Sequence, residues 1–356
     1  MTDIQPKIIV ISLRFILASI VILVGAGIFW NIKNDVARKE KDALFMVDQR
    51  LSSLFFEINN FPRGPGQDVV FLSQLGSLKN YVSGHPDDQE AYKQIAKDFS
   101  AYLDQSDAYY SVRYVDLEKT EHDVYIPRGA GDKTGVKHFF NDENHNLKDY
   151  ESIGGGLKEG AVYISPLHRH QENGKLITAL FYITPVFDGT GARRGAVILT
   201  IDADYFLDDI RNYAKPDEAV YLIDNKGFYL AHPDSEKEFL ADQNGLGTFV
   251  NDYPDIGEKI LSSRERRLED DEYVFSLRHI EPTASSFELH EGEQLSKDGD
   301  YYWILVSAYK KQTAKSPLSS FFSCDFIVGH LAMFGFVLVL SATGIFITKF
   351  FHNASR

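Results

Sequence analysis

Three stretches of the chain carry residue types that could bind a phosphate or a metal ion. The first, 188–195, reads DGTGARRG and combines glycines with two arginines, as phosphate-cradling loops do. A dinucleotide-binding loop needs a strand before its glycines and a helix after them, so that the helix N-terminus meets the phosphate. Here the β-branched run AVILTI follows, and there is no Gly-Lys-Ser/Thr sequence. The stretch therefore predicts a β-hairpin turn at 188–191, where glycine supplies the positive φ.

The second stretch contains His168 and His170, whose spacing puts both on one face of a strand. The pair could chelate a metal, but no cluster of carboxylates or cysteines accompanies it, and we predict surface histidines. The run NDENHN at 141–146 lacks the spacing and the closing glutamate of a calcium loop. The sequence has no Gly-x-Ser-x-Gly elbow, zinc signature or kinase signature. We therefore predict that the protein is not an enzyme and has no catalytic residue, metal site or cofactor.

The charge of the chain argues against nucleic acid as a partner. Its 356 residues include 51 acidic and 37 basic ones, which gives a formal net charge of −14. Nucleic-acid binders instead show a basic footprint. The length suits two ordinary domains, and a hydrophobic content of 44% suffices for a packed core. The single cysteine, Cys324, excludes an intrachain disulfide.

Two apolar stretches, at 8–30 and 326–348, are each long enough to cross a bilayer as a helix. The first closes on Trp30, where a cleavage site would need small residues, and this favours a retained anchor over a signal peptide. Two spans place both termini on one side, and we expect that side to be the cytoplasm. The prediction is a two-pass protein of the inner (plasma) membrane with residues 31–325 outside the cytoplasm.

Residues 31–61 predict a long outer helix, because apolar residues recur at alternating spacings of three and four. These residues are Leu44, Val47, Leu51, Leu54, Ile58 and Phe61. Their seam packs either on the protein's own domain or on a second copy, and the pattern leaves both open. Prolines and glycines at 61–68 break this helix, and a second helical pattern follows near 87–105.

The remainder of the outer region reads as strands joined by turns. The predicted strands are 109–117, 122–129, 160–170, 176–188, 195–202, 219–234 (a strand, turn and strand), 271–280 and 300–310. A short helix at 204–214 interrupts them, with Asp202 or Asp204 as its N-cap. The pattern of strand, aspartate turn and strand occurs near 112–126 and again near 219–231. This repeat predicts two similar α+β modules in tandem.

The predicted order of an apolar span, a long outer helix, two strand-rich modules and a second apolar span resembles that of a double Cache sensor domain. The phrases YYSVRYVDLEK, GAVYISPLHRHQENGKL, ITPVFDGTGARRGAVILTID, AVYLIDNKGFYLAHPD and YYWILVSAY are similar to successive strands of that family. The resemblance covers roughly residues 31–315. It implies an α+β fold of two tandem PAS-like (Cache) modules on a long N-terminal helix, flanked by two transmembrane helices. Such domains head bacterial chemoreceptors, sensor histidine kinases and diguanylate cyclases.

Together, the spans and the resemblance predict eight segments. They are a cytoplasmic N-terminus (1–7), transmembrane helix 1 (8–30), the long outer helix (31–61), a membrane-distal Cache module (62–212), a membrane-proximal Cache module (213–312), an exit helix (313–325), transmembrane helix 2 (326–348) and a cytoplasmic tail (349–356).

The resemblance also implies a ligand site in the membrane-distal module. Where amino-acid binders of the family carry Arg-x-Trp-Tyr, this chain has Lys137, Phe139 and Phe140, and Thr184 stands where they have an acid. Because the arginine and the acid that clamp an amino acid are replaced, an amino-acid ligand is not implied. Lys137 can meet an anion as a point charge, and the aromatic residues can line an apolar pocket. The predicted ligand-binding residues are Lys137, Phe139, Phe140, Tyr163, Ser165 and Thr184.

These observations predict a membrane-anchored extracytoplasmic sensor of an unidentified small molecule. We expect a homodimer that signals through the second span to an output module or to a cytoplasmic or membrane partner. Whether that output belongs to a longer form of the chain or to a partner stays open. The alternative is a scaffold or interaction protein that uses the Cache-like fold to bind a membrane partner. A hydrolase would need a nucleophile–base pair or a metal cluster, which the sequence does not offer.

Overall fold

In the computed structural model, the described residues are 5–84, 89–117, 123–129, 157–172, 175–213, 215, 217–240, 247–281 and 301–311. The predicted exit helix and second span, at 313–348, and the predicted ligand residues Lys137, Phe139 and Phe140 lie outside them. Among the described residues, no helix combines the length and the apolarity needed to cross a membrane. The chain separates into two compact units, of which one is 45–310 and the other is the remainder.

The first helix, α1 (Gln5–Asn60), has 56 residues and includes the first predicted span. Its heptad seam is buried within the 45–310 unit. The buried seam residues are Val47, Leu51, Leu54 and Ile58. The last three join the main core of that unit, so this seam packs on the protein's own domain. Two aromatic residues of α1 outside the seam, Phe45 and Phe56, are exposed.

Three shorter helices follow, namely α2 (Arg63–Ser73), α3 (Gly76–Ser83) and α4 (Gln89–Leu103). The break predicted over 61–68 is shorter than expected, because α2 already begins at Arg63. Pro65 lies in the first turn of α2, where a missing N–H costs no intrahelical hydrogen bond. Helix α4 confirms the pattern near 87–105, whereas the sequence pattern predicts neither α2 nor α3.

The first module consists of α2, α3, α4 and a six-stranded antiparallel sheet. The strands are β1 (Tyr109–Asp116), β2 (Val124–Pro127), β3 (Tyr163–Ile164), β4 (His168–Glu172), β5 (Lys175–Phe187) and β6 (Arg193–Asp202). Their order is β2-β1-β6-β5-β3, and β4 also pairs with β5. The single strand predicted over 160–170 is wrong. It is divided into β3 and β4 around Pro166, which has no N–H for a sheet ladder.

Helix α5 (Asp204–Arg211) follows β6 and confirms the predicted short helix. Its N-cap residue is Ala203, which makes no side-chain capping bond, so neither predicted aspartate occupies that position. The Asp202 carboxylate still accepts the N–H of Asp204 at 3.2 Å, in the turn that leads into the helix.

The second module contains a five-stranded antiparallel sheet. Its strands are β7 (Glu218–Asp224), β8 (Tyr229–Ala231), β9 (Arg267–Glu269), β10 (Tyr273–Ile280) and β11 (Trp303–Lys310), in the order β8-β7-β11-β10-β9. Two short helices, α6 (Phe249–Asp252) and α7 (Gly257–Ser262), lie between β8 and β9 in sequence. The predicted turn between β7 and β8 is confirmed, with Gly227 at a φ of 86°. The mixed fold with two antiparallel sheets confirms the α+β class.

One hydrophobic core runs through both modules and along α1. It contains Leu51 of α1, Tyr182 of β5 and Trp303 of β11, which are all buried. Two ion pairs add to this contact between α1 and the second sheet. Arg50 lies 2.6 Å from Glu218 of β7, and Asp48 lies 2.6 Å from Arg278 of β10.

Candidate functional site

The two faces of the six-stranded sheet carry different side chains, because successive side chains of a strand point to opposite sides. Leu180 and Tyr182 of β5 join the main core with the helices, and we name their side the helix face. Phe181 lies on the other side, in a separate cluster. His168 and His170 lie on that same side, since they pair with β5 residues of this cluster. We name it the histidine face.

The imidazoles of His168 and His170 pack edge-on against Phe181. Their ring centroids lie 4.9 and 5.2 Å from the Phe181 ring, and 6.0 Å from each other. His170 is 3% exposed and Phe181 is 1% exposed. The prediction of surface histidines is therefore wrong, because the pairing of β4 with β5 turns both rings toward a buried face. Within the described residues, no group of three His, Cys, Asp or Glu side chains is placed to hold a metal ion.

Burial lowers the pKa of His168 below its ordinary value, so its imidazole is neutral at pH 7. Its Nδ1 donates a hydrogen bond of 2.9 Å to the carbonyl oxygen of Pro166, which raises the pKa by a smaller amount. A carbonyl oxygen can only accept, so the proton is on Nδ1. Nε2 of His168 is then an acceptor atom on the histidine face.

A buried guanidinium lies on the same face, two strands away from Phe181. Arg113 of β1 is 8% exposed, and its guanidinium lies 5.3 Å from the ring centroid of Tyr125 on β2. Thr200 of β6 is also buried and pairs with both Phe181 and Ser111. The histidine face thus combines a cation, imidazoles, hydroxyls and aromatic rings.

The apolar floor between these groups is formed by aliphatic side chains of the same cluster. They are Val115, Ile177, Ala179, Ile183, Ala196 and Ile198. An apolar surface with a few convergent polar groups is the usual composition of a small-molecule site. The alternation in YSVRYV, at 110–115, is the sequence signal that puts Arg113 on one face with Val115.

A weakly acidic carboxyl stands at one end of the histidine face. Asp202 pairs with Ala179 across β5 and β6, and the Lys175 ammonium lies 3.7 Å from its carboxylate. Burial raises the pKa of Asp202 above its ordinary value, and the neighbouring Asp204 carboxylate raises it further. The Lys175 ammonium also lies 5.5 Å from the ring centroid of Tyr110.

Tyr163 and Thr184 lie on opposite faces of the sheet. Tyr163 pairs with Ile183 and packs against the cluster of the histidine face. Thr184 is the next residue along β5, so its side chain points to the helix face, where it is buried. The Thr184 hydroxyl donates a hydrogen bond of 2.9 Å to the carbonyl oxygen of Ala161.

Ser165, a further predicted ligand residue, is bonded to the backbone next to β3. Its hydroxyl oxygen accepts the N–H of Phe181 at 2.9 Å and donates to the carbonyl oxygen of Pro166 at 3.0 Å. These bonds hold the segment after β3 against β5. Of the described predicted residues, Tyr163 is the one whose ring packs with the histidine-face cluster.

The glycine-rich stretch is a hairpin turn between β5 and β6, as predicted. The Asp188 N–H donates to the carbonyl oxygen of Ala192 at 2.9 Å, and Gly191 has a φ of 81°. The Asp188 carboxylate accepts the hydroxyl of Thr190 at 2.6 Å and the guanidinium Nε of Arg194 at 2.7 Å. The Asp188 carboxylate therefore accepts the hydrogen bonds that donors of this turn would otherwise offer to a phosphate. This confirms that the stretch is a structural turn and not a phosphate-binding loop.

A separate surface cleft of about 520 Å³ lies in the second module. It is lined by Asn225, Lys226, Thr248, Val250, Asn251, Glu258, Leu261 and Ser262. All of these residues belong to the second module, so the cleft is distinct from the histidine face. Six of these eight residues are polar, and four of the six are exposed, namely Lys226, Asn251, Glu258 and Ser262.

No protein-family model and no curated protein matches this sequence. Solved structures do match. A domain of a protein described as a sensory box/GGDEF family protein, from Vibrio parahaemolyticus, gives a TM-score of 0.55 at 17% identity, over 76% of this chain and 97% of its own. The extracellular domain of a histidine kinase, vpHK1S-Z8, gives 0.54 at 18% identity, over 78% and 93%.

A ligand-binding domain of a Pseudomonas aeruginosa amino-acid chemoreceptor, solved in complex with GABA, gives a TM-score of 0.46 at 12% identity, over 75% and 98%. A TM-score of 0.46 does not establish that the two chains share a fold. The two higher matches show the fold, which is the double Cache fold. The present chain has this fold, with a long first helix and two antiparallel sheets.

Proposed function

We propose that this protein is an extracytoplasmic sensor that binds a small molecule on the histidine face of its first module. The observation that carries the proposal is the make-up of that buried face, with Arg113, His168, His170 and Thr200 around Phe181 and an aliphatic floor. Polar groups of several kinds that converge on an apolar surface suit a small polar ligand. The likeness in fold to sensor domains supports the same role.

Further contacts to the ligand are proposed from the sequence. We still propose ligand contacts for three residues that lie outside the described part of the chain, on the basis of the sequence alone. These residues are Lys137, Phe139 and Phe140. Tyr163 retains it because its ring packs with the histidine-face cluster. The hydroxyls of Ser165 and Thr184 bond to the backbone, and Thr184 points to the helix face, so we propose that these two residues position the segment around β3 and do not contact the ligand.

We also propose that residues 8–30 and 326–348 anchor the protein in the membrane, with the first module further from the bilayer. The length and apolarity of both segments and the position of Trp30 support this topology. The signal then passes through the second span to an output module or partner. Ligand binding can shift the position of that span only if it favours one of two arrangements of the sensor.

The test is thermal unfolding of the full-length chain in detergent micelles, with panels of carboxylates, amines, amino acids and purines. A ligand at 100 times its Kd stabilises the folded state by about 2.7 kcal/mol, which is readily detected. We expect one class to raise the melting temperature. Thr200→Val should reduce that gain, because it removes a hydroxyl from the histidine face. Thr178→Val is the matched control, since Thr178 is equally buried but points to the helix face.

Two outcomes would contradict ligand binding at this face. In the first, no compound class raises the melting temperature of the wild type. In the second, a compound does so, but Thr200→Val and Thr178→Val respond to it alike. The first outcome together with capture of a membrane partner without ligand would favour the scaffold function instead.

A homodimer through α1 is proposed on a separate observation. Phe45 and Phe56 are 61% and 70% exposed, and they lie about three turns apart on the same side of α1. A second copy of α1 would bury these rings, which water solvates poorly. Phe56→Glu should shift the micelle-bound protein from dimer to monomer in chemical crosslinking, whereas Glu57→Gln should not. Equal crosslinking of both variants would contradict a dimer through this side of α1.

A further inference from the structure

A buried carboxylate joins the second module to the first. Glu238 follows a short 3-10 turn, Ser235–Lys237, and its side chain is 0% exposed. It accepts two hydrogen bonds of 2.8 Å from Arg211, the last residue of α5. It accepts a third, of 3.2 Å, from Arg169 of β4, and a fourth, of 2.9 Å, from the backbone N–H of His232.

The two guanidinium groups reach Glu238 from different elements. Arg211 is the last residue of α5, which follows the first sheet and precedes the second in sequence. It also contacts Asp204 and Asp208 of that helix, at 2.8 and 2.6 Å. Arg169 comes from β4 of the six-stranded sheet. A single acid of the second module therefore ties together a strand of the first module and the helix that connects them.

Arg169 stands between the two histidines of the candidate site. His168 and His170 point to the histidine face, so Arg169 between them points to the opposite side of the strand. There its guanidinium pairs with Glu238 and lies 5.0 Å from the ring centroid of Phe239. A displacement of β4 that moves the imidazoles therefore also moves the Arg169 guanidinium against Glu238.

The backbone next to Glu238 is strained. Phe239 has a φ of 56°, which side chains other than glycine rarely adopt. Its N–H donates to the carbonyl oxygen of Tyr229 at 2.9 Å, and its ring packs on the main core. Strain of this kind persists only where the surroundings determine the conformation, and it concentrates at ligand clamps and switches. It is an observation independent of the ion pairs that points to the same segment.

We propose that Glu238 is the coupling residue between the two modules and that Arg169 is a positioning residue for His168 and His170. Glu238 is buried and accepts hydrogen bonds from both guanidinium groups, and the loss of a partner from a buried ion pair is destabilising, so we expect displacements of β4, α5 and the segment around Glu238 to be coupled. A ligand that displaces β4 would thereby change the second module. The signalling role of this link rests on the proposed function, whereas the coupling itself requires no ligand.

The test is hydrogen exchange with mass spectrometry on the full-length chain in detergent micelles, without ligand. Arg169→Met keeps the aliphatic stem and removes the charge. We expect amide exchange to become about tenfold faster both in 163–172, which contains the substitution, and in 229–240, which belongs to the other module. Arg169→Lys should restore most of the protection, because it returns a cation to Glu238.

Arg194→Met is the matched control. Arg194 also pairs with a buried carboxylate, Asp188, at 2.7 Å, but both residues lie in one hairpin of the first module. Faster exchange should then be confined to 187–195. A double variant, Arg169→Met with Glu238→Gln, should exchange no faster in 163–172 than Glu238→Gln alone, since each change breaks the same link.

The coupling is overturned if Arg169→Met accelerates exchange in 163–172 and leaves 229–240 at the wild-type rate. It is also overturned if the effects of the two substitutions add in full. Neither result depends on ligand discovery, so a failed ligand screen would remove the sensor function and leave the coupling intact. If, conversely, a ligand stabilises the protein while Arg169→Met leaves exchange in 229–240 unchanged, that pair of results would support the sensor function and contradict the coupling.

Discussion

Arg50 of α1 donates a hydrogen bond of 2.6 Å to Glu218 of β7, whose side chain is 3% exposed. The second carboxylate oxygen of Glu218 accepts the hydroxyl of Ser307, on β11, at 3.0 Å. One buried acid therefore connects the helix at the start of the 45–310 unit with the strand at its end.

Arg50→Met should destabilise the folded protein, because it leaves the Glu218 charge buried without its cation. Breaking a buried ion pair costs about 3–5 kcal/mol, and the partial exposure of Arg50 places the expected loss near the lower end, about 3 kcal/mol. Thermal unfolding in micelles measures it. Lys93→Met is the control, since the Lys93–Glu90 pair is exposed on both sides and should contribute almost nothing. Similar losses in the two variants would show that Glu218 does not need Arg50.

Three glycines of the β5–β6 hairpin should respond differently to alanine. At Gly195 a Cβ would lie 2.2 Å from the Val115 carbonyl oxygen and 2.5 Å from the Tyr114 ring, so Gly195→Ala should cost about 1–3 kcal/mol. At Gly191 the space is open but φ is 81°, so Gly191→Ala should cost about 1–2 kcal/mol. Gly189 has neither constraint, and Gly189→Ala should be neutral. Melting temperatures of the three variants check the order, and a neutral Gly195→Ala would contradict the close approach.

The stability contributed by Asp188 should depend on pH. Hydrogen bonds from Thr190 and Arg194 hold the pKa of Asp188 well below its ordinary value. A carboxyl whose pKa is lowered by folding stabilises the protein above its unfolded pKa, about 3.9, and this contribution is lost as the pH falls toward the folded pKa. The melting-temperature difference between wild type and Asp188→Asn should be largest near pH 7 and narrow below about pH 4. When Thr190→Val is present in both proteins, the melting-temperature difference caused by Asp188→Asn should be smaller, because the hydrogen bond from Thr190 is lost. A melting-temperature difference that does not change with pH would contradict this account.

Two buried tyrosine hydroxyls should behave in opposite ways. Burial raises the pKa of Tyr182, and among the described residues its hydroxyl has no hydrogen-bond partner. Tyr182→Phe should therefore leave stability unchanged or raise it by up to about 1 kcal/mol. The Tyr109 hydroxyl donates to Asp68, as does that of Tyr102, so Tyr109→Phe should cost about 1.5–3 kcal/mol. Equal losses in denaturant titrations would mean that Tyr182 has a partner as strong as Asp68.

Much of the fold follows from local patterns. Alternation and β-branched runs predict β1, β5, β6 and β7, and the glycine turn at 188–191 is confirmed because its flanks, not its own composition, determine its role. Local sequence predicts the elements wrongly at two prolines, because proline can either interrupt an element or occupy the first turn of a helix. Pro166 divides a predicted strand, whereas Pro65, in a predicted break, sits in the first turn of a helix. Local sequence does not distinguish these cases, since the neighbours that decide them are distant in the chain.

The candidate site was harder to predict, for a related reason. HRH reads as polar and exposed, yet pairing with β5 buries His170 and turns His168 onto Phe181. The partners of the buried charges are also far away in sequence, as with Arg169 and Glu238. Alternation within β1 does assign Arg113 to a face, but which face lies under the helices is a matter of tertiary packing. Charge pairing across modules leaves no periodic signal in the chain.

The two ion pairs that hold α1 on the second sheet have opposite polarity. From α1, Asp48 supplies the acid for Arg278, and Arg50 supplies the base for Glu218. An exchange of partners would set acid against acid and base against base, which is repulsive on both sides. The charges of the two pairs therefore match in one orientation of α1 on the second sheet and repel each other in the reversed orientation. The sheet can follow α1 as a rigid attachment, and it cannot settle stably in an alternative register with the two partners interchanged.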